Sequence, residues 1–172
     1  MAEENQTAQE EAQQAPSINV QVQYIKDLSF ECPNSPEVFL MMAQNKLKPA
    51  INVVHDVQVG RLGEGNVYEV VLSIKVDCQN EEDKRNMFLL ELAYAGVFVI
   101  EAQENIEQLM LFVEAPRLLF PFARQIVAST IIEAGFPPVH LPPIDFMESF
   151  RQKVAQAQAE QGNNEGEAPA ND

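Results

Sequence analysis

His55 and His140 are the two side chains in this sequence that could move a proton near neutral pH, and such work would need a nucleophile or carboxylate held beside one of them. His55 sits in an alternating run with Val53 and Val57, and His140 stands between prolines and apolar residues. Neither has a neighbouring nucleophile, and no G-x-S-x-G or H-E-x-x-H string accompanies them, so both read as packed or surface residues. The string Gly60-Arg61-Leu62-Gly63-Glu64-Gly65 has the glycines of a phosphate cradle, but it lies between two strand-like runs, contains a carboxylate and opens no helix. It reads as a turn. Glu81-Glu82-Asp83 lacks the spacing of a calcium loop, and Cys32 and Cys78 lack companions at metal-ligand spacing. No metal and no cofactor is expected, the two thiols read as buried or reduced in a reducing compartment, and the chain does not read as an enzyme.

Charge and apolar surface are what the chain has in abundance. Its 172 residues are 46% hydrophobic, enough for one domain with a core, and carry a formal net charge of −15. That field repels phosphate backbones and anionic membranes, and no Lys/Arg cluster interrupts it, so nucleic acid is not an expected partner. It also keeps a protein in solution while apolar surface is displayed. The first sixteen residues, MAEENQTAQEEAQQAP, hold neither a basic region nor an apolar run, and nowhere do about 18 apolar residues follow one another. A cytoplasmic protein without membrane insertion is expected. Residues 1–17 and 155–172 are polar, low in complexity and without large apolar groups, so both read as disordered tails flanking a single domain over 18–154.

Within that domain the elements show as changes of period. Val20, Val22, Tyr24, Leu28 and Phe30 alternate with Gln21, Gln23, Asp27, Ser29 and Glu31, which predicts a strand with one core face and one face free for a partner. Cys32-Pro33-Asn34-Ser35-Pro36 then forbids regular structure and leads into an apolar connection, Val38 to Met42. Two further alternating runs, Val53–Val59 and Tyr68–Asp77, are joined by the glycine-rich turn. A polar turn at 79–86 precedes a more continuously apolar strand, Phe88–Ile100. One long and two short connections suit an antiparallel four-stranded sheet. From Ile106 the period becomes helical, with Asn105 as cap and Pro116 as stop. A second helix is predicted from near Leu118 to Gly135, burying Phe122, Ile126, Val127, Thr130 and Ile131, and a third is capped by Asp145 with Phe146, Ser149, Phe150, Lys153 and Val154 on one stripe. Leu111, Phe112, Leu118, Leu119, Phe120 and Ile132 exceed what one stripe can bury, which reads as subunit association, or else as a well-covered monomer core.

Lys26-Asp27-Leu28-Ser29-Phe30-Glu31 followed by Cys32-Pro33-Asn34-Ser35-Pro36 resembles SecB, the bacterial protein-export chaperone family. Val67–Leu72, Ala95–Phe98, Leu119–Arg124 and Pro142–Phe146 match it in the same order, over nearly all of 18–150. The resemblance implies an α+β fold, a four-stranded antiparallel sheet with helices packed on one face, assembled as a homotetramer built from two dimers. It implies a holdase that binds unfolded precursor proteins without ATP and passes them to the motor SecA for export across the inner membrane. SecA contacts would fall on Asp27, Glu31, Leu89 and Glu91 of the outer sheet face, and client contacts on Phe39, Leu40, Met41, Met42 and Leu47. Met and Phe suit a promiscuous groove because they repack around different partners. The chain departs from the family where an aromatic is common near Lys46-Leu47 and an acid often stands in place of Ala50. A stable adaptor or assembly subunit that binds one folded partner is the competing reading.

Overall fold

Strand propensity and alternation place the chain's long apolar runs in one sheet, and the computed structural model, which describes residues 15–164, shows how they pair. The elements are β1 (Ser17–Glu31), α1 (Glu37–Ala43), β2 (Pro49–Arg61), β3 (Val67–Asn80), β4 (Asn86–Glu101), α2 (Glu104–Leu109), a π-helical turn (Met110–Glu114), α3 (Ala115–Glu133) and α4 (Phe146–Asn164). The expectations for 1–14 and 165–172 lie outside the described residues. All neighbouring strands are antiparallel, in the order β1-β4-β3-β2. Thus β2, β3 and β4 form a meander through tight turns, while β1 lies on the far edge. The segment carrying α1 must therefore cross the end of the sheet over three strand spacings, roughly 14 Å. The glycine-rich string is a turn, with Gly63 and Gly65 at positive φ and the Arg61 Nε–H donating to the Gly65 carbonyl at 2.7 Å.

One face of the sheet is the core. Val70, Leu72, Ile74 and Val76 of β3 and Leu90, Leu92, Phe98 and Ile100 of β4 are buried there beneath the helices. α3 sets Ala115, Leu119, Ala123, Val127 and Ile131, each four residues from the last, against it. Small residues at the crossing allow close approach: a Cβ on Gly96 would meet the Phe98 ring at 2.7 Å and Leu119 at 3.0 Å.

Five local expectations are corrected. Alternation does not run through β1: the register shifts between Val20 and Val22 and again between Ile25 and Asp27, so Gln21 and Lys26 have no partner on β4. Each extra residue reverses the faces. Val22 pairs with Val97 and Tyr24 with Ala95 on the outer face, whereas Gln23 and Ile25 turn inward. Tyr24 accordingly donates its hydroxyl proton to Glu69 on the outer face, while the Tyr94 hydroxyl meets Gln23 on the inner one. The run from Val38 to Met42 is helical rather than a loop, because Glu37 opens a first turn and burial of Val38 anchors it. Pro116 does not stop a helix. The π-helical turn before it absorbs the mismatch that a residue without an N–H creates, and α2 and α3 run on as one rod that also tolerates Pro121. Helix α2 starts at Glu104 with Gln103, not Asn105, at the N-cap position, and Phe122, predicted to be buried, is 52% exposed because Leu119 and Ala123 hold the inward phase.

The C-terminal signals hold as read. Gly135 has positive φ, and the N–H of Phe136 reaches back to the Ile131 carbonyl at 3.1 Å, a left-handed cap. The Asp145 carboxylate accepts the Glu148 N–H at 3.0 Å at the start of α4, which continues to Asn164, beyond the boundary expected at 154. Among the described residues, no helix is long and apolar enough to cross a membrane.

Candidate functional site: an apolar groove and an acidic face

Helix α1 and the linker after it stand over the end of the sheet because the β3–β4 turn pins them. The side-chain amide oxygen Oδ1 of the buried Asn80 accepts the Lys48 N–H at 2.9 Å, the Glu81 N–H donates to the Lys48 carbonyl at 2.9 Å, and the Lys48 ammonium lies 2.7 Å from Glu82. Leu47 is thereby fixed facing the Phe136–Val139 segment that follows α3. Between them lies an apolar cavity of about 380 Å³. Met42, Leu47, Pro49 and Ile51 form one wall, Cys78, Met87 and Phe88 the floor, and Phe136-Pro137-Pro138-Val139 the opposite wall. A register irregularity beside Cys78 leaves Met87 unpaired and adds it to the lining.

The five residues assigned to client binding do not all meet there. Met42 and Leu47 line the cavity. Phe39 lies behind it, its ring 5.0 Å from Phe136, which in turn meets Phe88 at a tilt with ring centres 4.8 Å apart. Met41 turns toward Arg85, whose guanidinium reaches its sulfur at 3.2 Å, and Leu40 is 62% exposed on the far side of α1. Sequence reasoning passed over Ile51, Met87, Phe88 and Phe136 as lining. Phe136 was visible only as a helix stop, since nothing in its spacing reveals what it faces.

On the opposite side of the sheet, pairing collects the four residues assigned to the motor. Glu31 is the cross-strand partner of Leu89, Ser29 of Glu91, and Asp27 of Ala93. Phe88 and Leu89 are consecutive, so groove floor and acidic face are separated by one sheet thickness. The structure adds Asp77 and Lys75 of β3, which pair with Leu89 and Glu91. Lys75 donates to Glu91 at 2.7 Å, an ion pair about half exposed and worth no more than about 1 kcal/mol. Beside it is a shallow depression of about 300 Å³, with Ser73 and Ala93 among its lining and Asp27, Asp56, Glu91 and Lys75 around it. Alternation in β3 puts Lys75 and Asp77 on this face, but only the register reveals their neighbours.

His55 is packed, as expected of a lone strand histidine. Its partner is α4: the Ser149 hydroxyl donates to the Asp145 carbonyl, so the His55 Nε2–H donates to Ser149 Oγ, at 3.0 Å. Next to it the Lys153 ammonium lies 2.6 Å from Asp56 and donates to the Val57 carbonyl at 2.7 Å. Burial lowers the His55 pKa below 6.5, opposed by the Asp56 charge and helped by Lys153. Burial pushes the Asp56 carboxyl up, but the Lys153 hydrogen bond and charge more than reverse this and hold it below the usual value. A lowered base is bound neutral, so its contribution to α4 docking is present above the undocked value of 6.5 and lost as pH falls through it, while Asp56 stays ionised. Hydrogen exchange of α4 amides, corrected for intrinsic rates, should therefore be faster at pH about 5.5 than at about 7.5. His55→Gln should flatten the difference; equal pH dependence in both proteins would assign it elsewhere.

Cys32 and Cys78 are free thiols, and burial pushes Cys78 up to about 11. Among the described residues no three His, Cys, Asp or Glu side chains are grouped to hold a metal ion.

The family described as SecB, preprotein translocase subunit SecB, matches residues 11–157. The chain is 46% identical over 155 residues to the protein-export protein SecB of Paramagnetospirillum magneticum, covering 90% of this chain and 97% of that one. It is 49% identical over 154 residues to that of Rhodopseudomonas palustris strain BisB5, covering 88% and 92%. Among solved structures it is similar to a SecB-like chaperone of Mycobacterium tuberculosis, in complex with a ChAD peptide from an antitoxin, with TM-score 0.59, 12% identity and coverage of 74% of this chain and 91% of that one. That likeness concerns the fold.

Proposed function

The chain belongs to the SecB family and is a chaperone of protein export, and from that premise we propose that its groove holds unfolded precursor segments while its acidic face docks the motor SecA. One observation carries this reading: an open apolar groove and an acidic face lie on opposite sides of the same sheet, so a client and a second partner can be bound at once. Each apolar anchor in the groove contributes on the order of 1.5–3 kcal/mol gross, largely offset by ordering the client, so several anchors are needed. Only chains that have not folded offer several. No nucleotide is needed in this scheme. Capture is a race with client folding, and handover comes when the motor on the opposite face competes for the client. In this reading the chaperone works in the cytoplasm, before export across the inner membrane.

A homotetramer of two dimers fits the same surface. β1 pairs with β4 on one side only, which leaves a 15-residue edge open to a second copy. On α3, Leu118, Phe122 and Ile132 form an exposed apolar stripe at helical spacing. Of the predicted surplus, Leu111 and Leu119 are buried and Phe112 and Phe120 pack against Phe150 and Phe146 of α4, which leaves Leu118 and Ile132 on this stripe.

The test is suppression of aggregation of a chemically denatured protein by the full chain with no ATP present, together with its mass in solution. Suppression near one client per four chains is expected. A purified chain that leaves aggregation unchanged while binding one folded partner would instead be an adaptor.

A further inference from the structure

We propose that three sulfurs lining the apolar groove, those of Cys78, Met87 and Met42, form a binding site for one soft univalent cation of the Cu(I) class. The site needs the shape of the cavity and not a client within it, so it stands apart from the reading of the groove as a place for unfolded segments.

The strands bring two of the sulfurs together. Alternation in β3 turns Cys78 inward with Val76 and Ile74, and its partner on β4 is Phe88. The register irregularity between Cys78 and Gln79 leaves Met87 without a partner, and Met87 Sδ comes to 3.8 Å from Cys78 Sγ. Three ligands held roughly 2.3 Å from one ion, a metal–thiolate bond length, lie roughly 4 Å from each other. The pair therefore already has the spacing of two corners of a trigonal site. Met42 lines the same cavity of about 380 Å³. Its unbranched, freely rotating side chain supplies a mobile thioether for the third corner.

The surroundings select the ion. Cys78 and Met87 are 1% and 3% exposed, and among the described residues no charged side chain lines the cavity. The hydrogen-bond partner of the Cys78 thiol is a thioether, a weak acceptor. Binding breaks the S–H bond, forms a sulfur–metal bond and releases one proton to water. One thiolate and two neutral thioethers then cancel the single charge of a univalent ion, so the filled site is neutral and suits an apolar pocket. A divalent ion would leave a net positive charge buried there, and zinc would also lack its usual four ligands. Thiolate and thioether sulfurs select Cu(I) among the first-row metals. Cys32 is outside the set, because its thiol donates to the Met87 carbonyl at 3.2 Å and it does not line the cavity.

The test titrates the full chain with Cu(I) under anaerobic conditions, against a coloured chelator that competes for the ion. One Cu(I) per chain is expected, with a sulfur-to-copper absorption band in the ultraviolet and a raised thermal midpoint. Cys78→Ser should lower affinity on the order of 100-fold and remove the band, since the thiolate supplies the compensating charge. Met87→Leu preserves the packing volume and should cost about tenfold while the band remains, and Met42→Leu should cost less. Cys32→Ser should bind like the parent. If Met87→Leu and Met42→Leu both bind like the parent, or if the loss falls on Cys32→Ser instead, the three-sulfur site is overturned. A parent chain that binds Cu(I) no better than Cys78→Ser overturns it as well.

Discussion

Replacing Met42, Leu47 and Ile51 together by Ser should weaken capture of an unfolded polypeptide on the order of 100-fold while leaving the chain folded. The three side chains lie on one wall of the groove, and none is among the fully buried core. Each substitution removes an apolar contact worth about 1 kcal/mol after the offsetting costs of ordering, and about 3 kcal/mol is a factor on the order of 100 in affinity. Leu40→Ser provides the contrast. Leu40 is equally apolar and lies on the same helix, but it projects away from the groove, so its replacement should change affinity less than about threefold. Phe39→Ser is a poorer probe, because its ring supports Phe136 and comes within 3.3 Å of where a Gly135 Cβ would stand. Binding of a reduced, carboxymethylated polypeptide can be followed by fluorescence anisotropy. Full affinity in the triple variant would remove this cavity from client binding, and a larger loss with Leu40→Ser would move the site to the outer side of α1.

Reversing Asp27, Glu31 and Glu91 to Lys should abolish docking of SecA and spare both client capture and assembly. At about 1 kcal/mol per reversed charge the loss is again on the order of 100-fold, and it appears mainly as slower association and a lost salt dependence. The fold should survive because Asp27 and Glu31 are exposed and the ion pair Glu91 makes with Lys75 is half exposed. Glu91→Lys also sets two ammonium groups opposite each other across β3 and β4, so Glu91→Gln is the milder control. Loss of motor binding, client binding and subunit assembly all together would show these carboxylates to be structural. Unchanged motor binding would place the docking face elsewhere.

The two faces differ in how far they were legible beforehand. For Asp27, Glu31, Leu89 and Glu91, alternation says which residues share a face within each strand, and the register then joins the two sets. The groove depends on segments far apart in the chain: Leu47 and Val139 line one cavity only because Asn80 and Glu81 hold the linker against the sheet and Gly135 turns the chain after α3. No local period encodes such a meeting. The strand β1 shows the limit within a single element, since Val22 and Tyr24 look like core by their type and spacing yet stand outside. A bulge adds one residue without changing composition, and period two makes one residue enough to reverse every side chain after it.

Taken alone, the sequence determined the class of the protein. Three alternating runs and a continuously apolar one, three helical ones, a Gly135 cap, an acidic field of −15 and the lack of catalytic or metal-ligating spacing are consequences of residue type over short range, where steric preference and hydrophobic period act directly. Only the tertiary structure decided the strand order, the phase of α3, the continuity of the rod through Pro116, and the docking of α4 on His55 and Asp56. Those outcomes come from burial competing among segments dozens of residues apart. Neighbours in sequence carry no record of which competitor wins.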